Sequence, residues 1–304
     1  MSKKNLVVVI ILNYNKKNDV LECIDSIYKQ DYREFVVIVV DNASTDGSVE
    51  SVRTSYPEVH LIRNKVNLGA VAGRNIGWRF AEENFDYEYL LFLDNDVILS
   101  SDFISKLITL FTNNTNIGIA SGKAYTNNEL NTIMSAGIKV NLYSGSIYDI
   151  GSCEKDNDQY SSGNRDACGA FAMMIRRKIF SEIRGFDNNY SPYGWEDVDL
   201  CLKAKKLGHY IYFLSTAVLI HKGTKLGRKP NPLYERSKIK NYIYLLRYNT
   251  NLFQKITCIV CLPFRAFFLS LKLIFNGNTG IVLEHFKGLF IGINNIRLSI
   301  KSNK

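Results

Sequence analysis

The chain lacks a disulfide framework. Its six cysteines (Cys23, Cys153, Cys168, Cys201, Cys258 and Cys261) are scattered along 304 residues. The opening MSKKNLVVVI has no small-residue cleavage pattern of a secretory signal, so a reduced, cytoplasmic protein is expected. Cys258 and Cys261 form a C-x-x-C, yet no second Cys or His pair lies near them and their neighbours are Ile, Val, Leu and Phe. Helix-borne, buried thiols are expected there rather than a zinc site. No repeat period or low-complexity tract is present, and 46% hydrophobic with 22% charged residues is ordinary globular composition, which excludes a disordered chain. The dinucleotide fingerprint G-x-G-x-x-G is missing after the first apolar run, where the sequence reads Asn13-Tyr14-Asn15. That disfavours a nicotinamide-dependent dehydrogenase.

An uninterrupted apolar run of roughly 20 residues, the length a membrane-crossing helix needs, is also missing. The best candidate, Leu252 to Phe275, is interrupted by Lys255, Arg265 and Lys272 and contains Pro263. Acid is scarce in the same region: residues 222–304 carry 15 Lys/Arg against 2 Asp/Glu, whereas residues 1–221 carry 23 against 27. The net charge of +9 therefore belongs to the C-terminal quarter. Apolar side chains beside cations suit a helix lying in the interface of an anionic membrane. The same helices could instead pack on the preceding domain or build a homo-oligomer contact.

Among the features present, 6–12 (LVVVIIL) and 36–40 (VVIVV) are continuous β-branched runs, expected of parallel strands covered on both faces. Between them 18–29 places Val20, Leu21, Ile24, Ile27 and Tyr28 at helical spacing, giving a β-α-β unit. Helices near 46–55, 69–83 and 102–112 alternate with strands near 59–63, 89–93 and 117–120. Loops with short strand-like pieces are expected over 121–165, regular pattern from 168–175, a helix near 195–207 and a strand pair near 210–220. After Pro230 and Pro232 the chain reads as helical to about residue 298. The fold class is α/β: an open, mostly parallel sheet with helices on both faces, which binds ligands beyond the C-terminal strand ends.

Those strand ends carry acids. Strand 36–40 runs into Asp41-Asn42-Ala43-Ser44, where a carboxylate either accepts the N–H of a pyrimidine base or organises the turn. Strand 89–93 runs into Asp94-Asn95-Asp96, and two carboxylates at i, i+2 offer hard oxygen ligands to Mn²⁺ or Mg²⁺, which in turn binds a diphosphate. Trp195-Glu196-Asp197 opens a helix, where backbone N–H groups favour negative charge. His221 ends the run Ala217–Ile220 and is either a third ligand to the same metal or a core histidine. Gly69, Gly73 and Gly77, beside Asn67, Arg74 and Asn75, make one smooth helix face for close packing, from which Arg74 could reach phosphate or base.

Together the segments ILNYN (11–15), VVDNASTDGS (39–48), NKVNLGAVAGRNIGW (64–78), LFLDND (91–96), CGAFAMMIRR (168–177), GFDNNY (185–190), GWEDVDLCLKAKKLG (194–208) and IHKGT (220–224) resemble the family-2 glycosyltransferases of GT-A fold. The bacterial rhamnosyltransferase-like branch is the most similar. The resemblance runs from residue 6 to about 224 and implies a catalytic domain over 1–224, followed by a basic, hydrophobic helical segment over 225–304. It implies Asp197, with Glu196 beside it, as the catalytic base of an inverting transfer. Asp96, Asp94 and His221 would form the metal site. Asn13, Asn15, Asp41, Asn67, Arg74, Asp94, Asn95, Gly169, Ala170 and Trp195 would line the nucleotide-sugar site. Gly169 and Ala170 would let the backbone approach the donor sugar. The donor expected is a UDP- or dTDP-sugar, and the acceptor a glycan or lipid-linked sugar, with no nucleic-acid partner. A role in cell-surface polysaccharide synthesis is expected, and peripheral attachment at the inner face of the membrane is expected from the apolar, basic C-terminal segment. A nucleotidyltransferase, or a non-catalytic carbohydrate-binding protein on the same fold, is the alternative.

Overall fold

The computed structural model describes residues 5–127, 131–223, 231–275 and 279–301. The expected boundary at 224/225, Thr224 and the side chain of Lys272 lie outside the described residues.

The first half is the alternating array that the apolar runs predict: β1 (Val7–Asn13), α1 (Lys17–Tyr28), β2 (Phe35–Asp41), α2 (Ser48–Ser55), β3 (His60–Arg63), α3 (Gly69–Asn84) and β4 (Tyr89–Asp94). Then come β5 (Val97–Leu99), α4 (Phe103–Asn113), β6 (Ile117–Thr126), β7 (Ile133–Ser135), β8 (Ile138–Asn141), β9 (Ser146–Asp149), β10 (Gly163–Arg165), β11 (Ala172–Arg176), α5 (Arg177–Ile183), α6 (Glu196–Lys206) and β12 (Tyr210–His221). Three helices close the chain: α7 (Pro232–Asn249), α8 (Leu252–Phe275) and α9 (Thr279–Lys301). The sheet runs β10-β12-β6-β11-β4-β1-β2-β3, with β5 added beside β12 and β7 beside β6. Its half β4-β1-β2-β3 is wholly parallel. β11 enters antiparallel between β4 and β6.

Alternate residues of each central strand feed two cores. Val7, Val9 and Ile11 pack with α1, α2 and α4, while Val8 and Ile10 pack with α3, α5 and α6. A strand buried on both faces has no polar positions, which explains its unbroken apolar sequence. The glycine face of α3 lies on β1: a Cβ at Gly73 would stand 2.3 Å from Leu12, and one at Gly77 2.6 Å from Ile10.

Three elements depart from the sequence expectation. The expected strand pair near 210–220 is one long strand, β12, whose pairing with β6 shifts register between Leu214 and Val218; an irregular stretch inside a strand reads as a turn in sequence. β5 is only three residues long and α5 seven, too short for periodicity to register.

The C-terminal helices differ in how they meet the rest. α7 packs on the catalytic side through Asn241, whose Nδ2 donates to the carbonyls of Tyr190 and Tyr193 at 2.5 and 2.8 Å, and through Asn249, whose Nδ2 donates to Asp199 at 2.8 Å. α8 runs unbroken through Pro263. On one side Phe253 meets Tyr143 edge-on at 6.1 Å, the Cys258 thiol donates to Leu142 O at 3.0 Å and Arg265 donates to Ser144 O at 3.5 Å. On the other, Ile256, Ile259, Val260, Phe264, Phe267 and Phe268 are exposed. All six cysteines are free thiols.

Candidate active site

Asp94 and Asp96 leave β4 where the parallel strands end. The short β5 that follows pairs with the end of β12, Val97 standing opposite His221, and the N–H of Lys222 donates to Asp96 O at 2.8 Å. This pairing carries His221, 125 residues away in sequence, to the aspartates: its Nε2 is 3.3 Å from Asp96 Oδ1 and 3.8 Å from Asp94 Oδ2. The three side chains offer ligand atoms all within 4.8 Å of one another, a grouping unique among the described residues. Neither imidazole nitrogen has a hydrogen-bond partner although both are buried. Two hard carboxylates and an unsatisfied imidazole fit a divalent cation such as Mn²⁺ or Mg²⁺. Burial pushes the Asp96 carboxyl up, with the Asp94 charge adding to it and His221 opposing. Gly223 closes the site, since a Cβ there would stand 2.2 Å from Asp96 Oδ2.

Behind the aspartates lies a buried ion-pair network. Arg74 projects from α3 and donates to Asp94 Oδ1 at 2.7 Å and to Glu196 Oε1 at 2.9 Å. Burial disfavours ionising Asp94, but the Arg74 guanidinium and His221 together hold it well below the usual carboxylate range. With both terminal nitrogens committed to carboxylates, Arg74 braces the site instead of projecting to a phosphate or base as the sequence suggested. Glu196 is similarly occupied, because its second oxygen accepts from the Gly194 N–H at 2.8 Å. At 4% exposure it is also less accessible to an acceptor hydroxyl than its neighbour.

Asp197 differs from its neighbour. It is only partly buried, and it accepts from the N–H groups of Val198 at 2.8 Å and Ala170 at 3.3 Å. Burial and the Glu196 charge raise its carboxyl to about 7, against the N–H donors and Arg74. A carboxylate poised there can take a proton at neutral pH. Ala170 thus orients the base through its backbone. At Gly169 a Cβ would stand 2.4 Å from the Phe171 ring, so the position has no room for a larger side chain.

The remaining expected residues border the ends of β1 and β2. Asn13 is buried, donating to Asp41 Oδ1 at 3.1 Å and accepting from Asn95 at 2.7 Å. Asp41 is 0% exposed, and its other oxygen accepts from Ser44 N at 2.8 Å. It organises this turn and presents no surface to a base in this conformation. Asn15 is exposed and accepts from the Thr45 N–H at 2.8 Å; Asn67, also exposed, accepts from Gly69 N at 2.9 Å. Trp195 holds a left-handed backbone (φ 72°) and donates from Nε1 to Lys238 O at 2.9 Å, which ties the start of α6 to α7. Two surface hollows, beside Asn116 and Tyr210 and beside Glu58 and His60, lie at the opposite ends of the strands, far from the carboxylates.

This arrangement has a known counterpart. The model of the family described as Glycosyl transferase family 2 matches residues 8–184, more than half of the chain, and one described as N-terminal domain of galactosyltransferase matches residues 150–226. The chain belongs to glycosyltransferase family 2. An uncharacterized glycosyltransferase of Haemophilus influenzae is 34% identical over 109 residues, 36% of this chain and 35% of that protein. An N-acetylglucosaminyl-diphospho-decaprenol L-rhamnosyltransferase of Mycobacterium tuberculosis is 25% identical over 234 residues, 70% of this chain and 75% of that one. The fold superposes with TM-score 0.61 on a mannosyltransferase of Pyrobaculum calidifontis in complex with GDP-Man and Mn²⁺, covering 96% of this chain and 88% of that one at 15% identity. The fold is GT-A, and the family match decides against the nucleotidyltransferase alternative.

Two groups in this family-2 site escaped sequence reasoning. Gly223 stands two residues after His221, a spacing that signals a tight turn at the metal cluster. The α7 residues Lys238 and Asn241, which hydrogen-bond the loop before Asp197, and Tyr242, which packs on Trp195, give no local signal, since their hydrogen-bond partners lie 43 to 97 residues upstream.

Proposed function

We propose that this family-2 enzyme is an inverting, metal-dependent transferase that moves a hexosyl or deoxyhexosyl group from a UDP- or dTDP-sugar to an acceptor hydroxyl. The observation that carries the reading is the division of labour among its acids. Asp94 and Asp96 converge with His221, Glu196 is spent on Arg74 and Gly194, and Asp197 alone combines partial exposure with a carboxyl raised to about 7. Asp197 takes the acceptor proton as the acceptor oxygen attacks the anomeric carbon from the face opposite the leaving diphosphate. One displacement inverts the configuration. When bound at Asp94, Asp96 and His221, Mn²⁺ or Mg²⁺ supplies positive charge against the departing diphosphate. Arg74 keeps Asp94 ionised for that ligation and fixes Glu196, while the Ala170 N–H aims Asp197.

The acceptor is a glycan or lipid-linked sugar of cell-surface polysaccharide synthesis, and the chain works at the inner face of the membrane. The support is α8: 24 residues long, with an 18-residue window of mean hydropathy 2.0, 6% of which is buried. Its length, about 36 Å, would suffice to cross a bilayer. Yet its contacts at Phe253, Cys258 and Arg265 hold one side against the catalytic body along about 18 Å, which favours lying on the membrane.

A thermal-shift panel of UDP-, dTDP- and GDP-sugars with Mn²⁺ tests the donor, because ligand at a hundredfold its Kd stabilises by about 2.7 kcal/mol. NMR of the product tests the anomeric outcome. Donor binding without transfer or hydrolysis would leave only the non-catalytic carbohydrate-binding alternative.

A further inference from the structure

Residues 222–304 contain just two acids, and both are engaged. Glu235 contacts His285 at 3.1 Å, while Glu284 pairs with Arg236 and with Lys287 at 2.8 Å. Lys238, beside the catalytic loop, and Arg265, on α8, have no carboxylate within 4 Å among the described residues. Lys238 extends its Nζ over the Trp195 ring, 5.7 Å from the centroid, and its stem packs where a Gly194 Cβ would be, 3.5 Å away. Arg265, exposed on α8, reaches Ser144 O at 3.5 Å. Between them Trp195 packs on Tyr242 at 5.8 Å, and the Tyr242 hydroxyl donates to Gly145 O, next to Ser144. The Tyr242 hydroxyl also feels the Arg265 charge, which opposes the upward push of burial.

We propose that this surface, which carries Lys238, Trp195, Tyr242 and Arg265, binds the phosphate or diphosphate of a lipid-linked acceptor. The order of chemistries along the surface matches such a molecule. Asp197, two residues beyond Trp195, meets the sugar. Lys238 and Arg265 meet the anion, and the exposed face of α8 from Ile256 to Phe268 meets the apolar chain. The inference rests on the acceptor reading above and assigns it an anion subsite. Cations on flexible stems gain most from a doubly charged group, to which they make charge-assisted hydrogen bonds.

The test uses the full-length protein in EDTA, which keeps metal from Asp94, Asp96 and His221, and farnesyl diphosphate against farnesol as probes. Trp195 fluorescence reports binding; the chain's other tryptophan, Trp78, packs edge-on against Phe180. Farnesyl diphosphate should bind at least about tenfold more tightly than farnesol. Lys238→Gln and Arg265→Gln should each loosen it about tenfold, the worth of one hydrogen bond to a charged group, with farnesol unchanged and Lys238→Arg restoring affinity. Truncating the Lys238 side chain spares the fold, because Trp195 uses its backbone carbonyl. Equal affinity for the two probes overturns the proposal. So does a result in which both substitutions weaken sedimentation with phosphatidylglycerol-containing vesicles but not farnesyl diphosphate binding, since the cations would then serve bulk headgroups. A protein that turns over no nucleotide sugar would remove the transferase reading, whereas this binding readout needs no turnover.

Discussion

The assignment of Asp197 as base can be tested through its titration. Burial and the Glu196 charge raise its carboxyl to about 7, and a raised carboxyl is protonated, hence idle as a base, below that value. The sign follows: kcat/KM for the acceptor should climb with pH through the neutral range. With a carboxyl near 7, about a tenth is ionised at pH 6 and about nine-tenths at pH 8, so the rate constant should rise roughly eight- to tenfold. An ordinary aspartate would give no change over that interval. Glu196→Gln removes the repelling charge and should move the rising limb to lower pH. Asp197→Asn keeps the shape but not the basicity, so turnover should fall by about 10²–10⁴-fold and lose the limb, with donor affinity nearly unchanged. The assay is initial-rate transfer with a slow acceptor, so that chemistry limits the rate. A flat profile from mildly acidic to mildly alkaline pH, or near-wild-type turnover by Asp197→Asn with loss in Glu196→Gln, would refute the reasoning.

Three further outcomes are expected. EDTA, or Asp96→Ala, should abolish turnover, and full activity in excess chelator would remove the metal from the mechanism. Gly223→Ala should weaken Mn²⁺ binding, measured by calorimetry, because its Cβ would stand 2.2 Å from Asp96 Oδ2 with the fold otherwise intact. Arg74→Ala strands Glu196 as an uncompensated buried charge and should cost about 3–5 kcal/mol in denaturant unfolding; Arg74→Lys should restore little, since an ammonium lacks the fork that spans two carboxylates.

Legibility in the sequence followed the range of the interaction. The strands β1, β2 and β4 and the helices between them were readable because burial on both sheet faces leaves an unbroken apolar signature in a few consecutive residues. The acids were readable because they sit where those runs stop. Their roles were less so. Glu196 and Asp197 are adjacent, and only the approach of Arg74, 122 positions away, makes one a brace and leaves the other available. Asp41 was legible as a strand-end acid, but its enclosure by Asn13 and Ser44 depends on the parallel register of β1 and β2. His221 was legible as a strand end, whereas the element that delivers it, β5, is too short to show any period.

The C-terminal segment shows what composition leaves out. Charge and hydropathy change character near residue 222, which suggests a distinct helical segment beginning at 225; what they do not show is that α7 shares its side chains with the catalytic loop. Asn241 holds the carbonyls of Tyr190 and Tyr193, the Lys238 carbonyl holds Trp195 and Asn249 holds Asp199. Those bonds secure both sides of Asp197. A chain cut after residue 232 would therefore lose catalysis through a loosened base, whatever the remaining helices do at a membrane. A cut after Thr250 keeps the bonds of α7 to the catalytic loop but removes α8, with the exposed face from Ile256 to Phe268, and α9, whose Glu284 and His285 pair with Arg236 and Glu235 of α7. If that face attaches the protein to lipid, the shorter chain should leave anionic vesicles yet still turn over a soluble acceptor analogue. Retention on vesicles after the cut would place the attachment on the catalytic body instead.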